Sequence, residues 1–191
     1  MNKTTKYILI TVAVILVLAI AVVQFFISGI NKVIALDENV KKSWAEVDNQ
    51  LQRRYDLIPN LVETVKGYAK QEKEIFVEVA KARSQVGRAA TIDEKISANN
   101  ALSGALSRLL LVVERYPELK SNQNFIRLQD ELAGTENRIS VARMRYNESV
   151  KELNTYIRKI PGVIFARIAG IKNAPYYEIK SEAKETPKVK F

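Results

Sequence analysis

Residues 33–58 read VIALDENVKKSWAEVDNQLQRRYDLI, with apolar side chains at Val33, Leu36, Val40, Trp44, Val47, Leu51, Tyr55 and Ile58. The steps between them are 3, 4, 4, 3, 4, 4 and 3. That spacing draws one continuous stripe along an α-helix, because such steps return side chains to the same face. Lys41, Lys42, Glu46, Asp48, Gln52 and Arg53 fall between the apolar positions and form the solvated side. Composition agrees with a helical reading. Only 7 Gly and 5 Pro stand in 191 residues, too few for a turn-rich β fold, and good helix formers dominate.

Working towards the N-terminus, residues 7–30 read YILITVAVILVLAIAVVQFFISGI, 24 residues without a charge and with Thr11, Gln24 and Ser28 as the polar interruptions. At a rise of roughly 1.5 Å per residue, such a helix covers about 36 Å, enough to cross a bilayer's hydrocarbon core with some tilt. Tyr7 at one end and Phe25 and Phe26 at the other suit the interfaces. Ala19-Ile20-Ala21 has the form of a signal-peptidase site, but the apolar run continues through Val22, Val23, Phe25, Phe26 and Ile27 without a turn former. An uncleaved anchor is therefore expected. Little separates Ile30 from Val33, so the span is expected to run on into the first helix of the domain. Lys3 and Lys6 on one side and Lys32, Lys41 and Lys42 on the other, with Asp37 and Glu38 among them, are nearly balanced. The positive-inside rule therefore selects neither orientation.

Towards the C-terminus, Pro59 predicts a kink or short break over residues 57–60, since its ring disfavours helical geometry before it and removes a donor. The stripe resumes with Leu61, Val62, Val65, Tyr68, Ala69, Ile75, Phe76, Val79 and Val86, with Glu72 on the same face. A lone polar residue there is expected to set register or to pair with an arginine. Residues 87–90 read as a connection, and Thr91-Ile92-Asp93-Glu94 as a capping box that opens a third helix. Pro117 is expected to end that helix, and Ser121 or Asn122 to cap a fourth over residues 124–158. Pro161-Gly162 closes the fourth helix, and residues 163–171 form a further amphipathic turn. Long helices with short connections stack antiparallel. The expected fold is thus all-α: one N-terminal transmembrane helix (1–31), an elongated antiparallel, coiled-coil-like bundle of three to four long helices (32–171), and a flexible tail (172–191).

The chain contains no His and no Cys, which removes imidazole bases, thiol nucleophiles, disulfides and zinc sites built on sulfur or nitrogen. Net charge is +9; setting aside Lys3 and Lys6 leaves 28 basic against 21 acidic residues. An excess of that sign suits anionic lipid headgroups or nucleic acid, and nucleic acid is disfavoured by the anchor and by the absence of a recognition motif.

Two stretches are distinctive beyond their periodicity. The first is WAEVDNQLQRRYDLIPNLV (44–62), continued by VKGYA (65–69) and Ala82-Arg83. The second is ENRISVARMRYNESV (136–150), running on to Tyr156 and Ile160-Pro161-Gly162. Together with the single N-terminal anchor they closely resemble the LemA family of bacterial membrane proteins, over roughly Val33 to Gly170. The resemblance implies a membrane-anchored domain of long antiparallel helices. It brings no enzyme activity and no catalytic residues. Some relatives take part in forming specialised intracellular membranes and others are encoded near membrane proteases, which points towards membrane organisation. Pro175-Tyr176-Tyr177 stands where relatives tend to have Phe-rich text.

Several residues bear on function. Arg53-Arg54-Tyr55-Asp56 beside Pro59 reads as salt bridges holding a bent helix, with a lipid or partner contact as the functional alternative. Arg138, Arg143 and Arg145 with Tyr146 and Asn147 form the densest basic–aromatic patch. It suits anionic lipid, or pairing with Glu136 and Glu148 on the same helix. Tyr146, Asn147, Asn154 and Tyr156 are expected to hydrogen-bond across to another helix and fix its register. Glu63 and Glu72 are the carboxylates assigned to the bundle interior, without the matched second pair that a hydrolase or metal site needs. The sequence therefore reads as a non-enzymatic scaffold or adaptor in the bacterial inner membrane, held in lipid through residues 7–30. It would recruit a protein partner or further copies of itself. No catalytic, cofactor or metal residues are assigned. The alternative is a lipid-binding or membrane-remodelling module acting through its basic helix faces.

Overall fold

A computed structural model describes residues 3–178 of the chain. The helices are α1 (Lys3–Tyr68), α2 (Lys73–Arg88), α3 (Ile92–Val113), α4 (Pro117–Lys120), α5 (Gln123–Arg158) and α6 (Gly162–Ala169). Among the described residues every regular element is a helix, so the all-α expectation holds. Residues 179–191, most of the stretch expected to be a flexible tail, lie outside the described residues. Two compact units share these helices: residues 3–42 with 148–174, and residues 43–147 with 175–178.

In the first unit, the large apolar side chains of α1 from Leu9 to Ile27 are exposed all round, from 38% at Phe26 to 63% at Val17. A helix apolar on every side has no face suited to water, and α1 is long and apolar enough to cross a membrane. α3 also passes that test, but 44% of its apolar window is buried among protein, as expected of a core helix. Beyond the apolar run, α1 lies antiparallel to α5. Lys32 sits 4.9 Å over the Tyr156 ring, and Asn39 Nδ2 donates to Ser149 Oγ at 3.3 Å. Val33 and Val40 on α1 and Val150, Leu153 and Ile157 on α5 are buried. After α5 the chain turns sharply at Gly162, where a Cβ would collide with the Tyr156 carbonyl oxygen, and enters α6.

In the second unit, α1 and α5 again run antiparallel: Trp44 meets Tyr146, Arg54 meets Glu136, and Tyr68 meets Asn122. α2 and α3 are likewise antiparallel, through Glu72–Arg115 and Glu78–Arg108. Ile58, Leu61 and Val65 of α1, Phe76 and Val79 of α2, Leu102 and Leu109 of α3 and Phe125 of α5 belong to one buried core. The ends of elements follow local chemistry. Thr91 and Glu94 form the expected capping box at the start of α3. Asn122 Oδ1 accepts from the backbone N–H groups of Asn124 and Phe125 and caps α5.

Four details differ from the sequence reading. α1 passes through Pro59 without a break and ends at Tyr68. The break falls instead at residues 69–72, so Glu72 sits on a turn rather than at a helix seam. Pro117 opens α4 at its first position, where the missing donor costs nothing, instead of ending α3. Residues 171–178, all but the first of which the sequence reading places in the flexible tail, are irregular but hydrogen-bonded: Asn154 holds Ala174 in the first unit, and Tyr146 and Asn147 hold Pro175 and Tyr177 in the second.

Candidate functional site

Within the second unit, the α1 part of the first distinctive stretch packs against residues 136–147 of the second, on α5. Arg54 lies at their centre. Its side chain is 2% exposed, its Nη1 donates to Glu136 Oε2 and Ser103 Oγ at 2.9 Å, and its Nη2 donates to Asn99 Oδ1 at 2.8 Å. One guanidinium thus ties α1 to α3 and α5, a use for which its planar fork of donors is suited and an ammonium is not. Asn99 Nδ2 in turn donates to the Lys95 carbonyl, and Lys95 bridges to Asp48 at 2.8 Å.

This accounts for RRYD differently from a bent-helix clamp. Arg54 reaches across helices, Tyr55 lies 4.0 Å under the Arg83 guanidinium, Asp56 accepts from Gln52, and Arg53 is exposed. Asn99 and Ser103 were missed by sequence reasoning. The available signal was a pair of polar residues four apart on a helix that otherwise buries Leu102, Leu106 and Leu109.

The basic–aromatic patch divides by depth. Tyr146 is fully buried, stacks edge-on with Trp44 at 5.3 Å between centroids, and donates to the Pro175 carbonyl at 2.8 Å. Burial, with the negative charge of Asp93 adding to it, pushes its phenol up to about 12. Tyr177 is buried beside it, and burial raises its phenol as well. The Asn147 side chain accepts from the Tyr177 N–H at 2.8 Å and donates to the Tyr177 carbonyl at 3.1 Å. Asn154 makes the same two-way contact with Ala174, both at 2.9 Å. These residues therefore bind an extended C-terminal segment and not another helix as expected: each amide satisfies a backbone donor and acceptor that no ladder supplies. Glu136 goes to Arg54 and Glu148 to Lys151. Glu63 is exposed and paired with Lys66, and Glu72 takes Arg115 at 3.0 Å, so neither carboxylate points into a core.

The surface left by this fastening is a groove of about 410 Å³ between α1 and α5, lined by Glu46, Asn49, Gln50, Asn137, Arg138, Val141, Ala142 and Arg145. Arg145 and Glu46 face each other across it at 3.7 Å. Gln50 Oε1 is buried with no hydrogen-bond partner among the described residues. Val141 and Met144 are 45% and 65% exposed between the arginines, so an apolar strip flanked by donors faces outward. Such a mixture suits a polar and apolar peptide or protein surface.

Comparison with known proteins bears on the same region. The chain is similar to magnetosome proteins MamQ 2 and MamQ 1 of Paramagnetospirillum magneticum, each 26% identical over 194 residues that cover 88% of this chain and 71% of the relative. Magnetosome protein MamQ of Magnetospirillum gryphiswaldense matches with the same identity and coverage. The LemA family model matches residues 43–191, which include the Arg54 node, the groove and both distinctive stretches, and this chain accordingly belongs to the LemA family.

Proposed function

We propose that this protein is a non-enzymatic scaffold or adaptor, held by a single pass of residues 7–30 in the bacterial inner membrane, that recruits protein partners or further copies of itself. The observation that supports this most is the use made of the motif residues. Arg54, Tyr146 and Asn147 fasten segments of the chain to one another, and the outward product of that fastening is the α1–α5 groove. Relatives named as magnetosome proteins of two bacteria support the bacterial setting. Photo-crosslinking residues placed at Val141 and Met144 of the full chain, in native membranes, test the reading. Discrete protein adducts are expected; adducts with lipid alone would overturn it. That second outcome favours a lipid-binding or membrane-remodelling module. Its motivation is the exposed Arg138 and Arg145, each worth about 1 kcal/mol near an anionic surface.

A further inference from the structure

α6 reads GVIFARIA and buries Gly162, Phe165 and Ala166. Val163, Ile164 and Ile168 are 38%, 47% and 56% exposed, and Ile160 just before it is 86% exposed. So dense an apolar surface on so short a helix is costly in water. Its position within the first unit gives it an environment. The Phe165 ring meets Phe25 and Phe26 at centroid distances of 5.5 and 5.8 Å, and it covers Gly29, where a Cβ would collide with it. α6 is thus docked on the last two turns of the apolar run, and its open side chains continue the exposed apolar surface of Phe25 and Ile27.

Charge changes sharply beside it. Arg158, Lys159 and Arg167 are exposed around α6, and Lys32 follows Gly29 by three residues on α1. Lys32, Lys151 and Lys159 line a groove of about 360 Å³ with Thr155, Tyr156 and Glu152, three cations against one carboxylate.

We infer that α6 is an interfacial foot, with the surface from Ile160 to Ile168 lying at the acyl boundary of the leaflet and the lysine groove receiving the phosphates of anionic lipids. The inference rests on residues 7–30 being embedded in lipid. The occupant is lipid because the surface is continuous with the span and rimmed by cations, the arrangement of an amphipathic interfacial helix.

The chain contains no cysteine, so single-cysteine variants of the full protein report one site each. Ile164→Cys and Ile168→Cys, labelled with an environment-sensitive fluorophore, are reconstituted in phosphatidylcholine vesicles with and without phosphatidylglycerol. Leu16→Cys marks the span, and Val77→Cys, exposed on α2, marks the aqueous body. The α6 labels are expected to be quenched by shallow acyl-chain nitroxide lipids several-fold more than the Val77 label. Phosphatidylglycerol should deepen that quenching, and Lys32→Gln with Lys159→Gln should abolish its effect. Quenching at Leu16 without quenching on α6 overturns the foot and leaves the anchor standing. Blue-shifted α6 labels that lipid nitroxides do not quench mean that protein, such as a second copy, covers the surface, which also overturns it. An unquenched Leu16 label instead overturns the anchor itself. Quenching on α6 that is indifferent to phosphatidylglycerol overturns the phosphate groove.

Discussion

Arg54 is a permanent cation placed where the stripe of α1 meets two other helices, and desolvating it is tolerable because Glu136, Ser103 and Asn99 receive its Nη1 and Nη2 donors, although its Nε is buried without a hydrogen-bond partner among the described residues. Glu136 itself is 57% exposed, so solvent weakens the charge–charge part and the neutral hydrogen bonds matter comparably. Arg54→Ala should therefore cost roughly 2–4 kcal/mol, from lost packing and from Asn99 Oδ1 left without its donor. Arg54→Lys should cost roughly 1–3 kcal/mol, because one ammonium cannot span three acceptors. Urea melts of the detergent-solubilised chain followed by circular dichroism measure both; a Lys variant as stable as the parent would refute the node. Tyr146 gives a test by pH. Its phenol is held neutral by burial, so the folded value of about 12 exceeds the ordinary 10. The associated stability is full below pH 10 and is lost as pH rises from 10 towards 12. In absorbance titrations the phenolate of Tyr146 should form late, alongside that of the likewise buried Tyr177, and Tyr146→Phe should remove its share of that late component while leaving the share of Tyr177.

At the scale of elements, Pro59 and residues 69–72 exchange the roles that periodicity assigned them. A proline inside a helix costs roughly 3 kcal/mol through a lost hydrogen bond and a clash with the preceding turn. Ile58 and Leu61 on either side are buried, at 1% and 2% exposed. Each contributes roughly 1.5–3 kcal/mol by leaving water, which offsets the penalty and keeps α1 continuous. The real break carries no proline. Its apolar stripe looked unbroken because Ala69 before the turn and Ile75 after it face the same core. Pro59→Ala is thus expected to raise stability, by roughly 1–3 kcal/mol in the same melts. A loss instead would mean that the half-buried ring packs tightly against α2. Thr91→Ala should cost about 1 kcal/mol by removing the hydroxyl that caps α3.

For the whole molecule, the exposed apolar length of α1 predicts that the protein stays in the membrane pellet after carbonate extraction. Replacing Val14 and Leu18 with arginine should release it, since each charge at mid-span costs roughly 2.5–3.5 kcal/mol. Retention of the double variant would refute the anchor. The single tryptophan offers a second measurement. Trp44 lies against Tyr146 and, at 6.5 Å between centroids, against Tyr177. Tyr177→Ala should therefore shift Trp44 emission to the red without loss of helical signal, since the extended segment closes over that ring and forms no part of a helix.

The sequence by itself determined the helical class, the apolar run of residues 7–30, the capping boundary at Thr91 and membership of a family, because helix periodicity, hydropathy and capping are local properties of consecutive residues. Tertiary structure alone decided which polar residues are fasteners. Arg53 and Arg54 are neighbours of one chemistry, yet one is exposed and the other buried among Asn99, Ser103 and Glu136, which are 45 to 82 residues away. The same holds for Asn147 and Asn154, whose partners are backbone groups of a segment with no periodicity to betray it. A side chain's role is set by what the fold brings to it across that separation, and no local pattern encodes that distance.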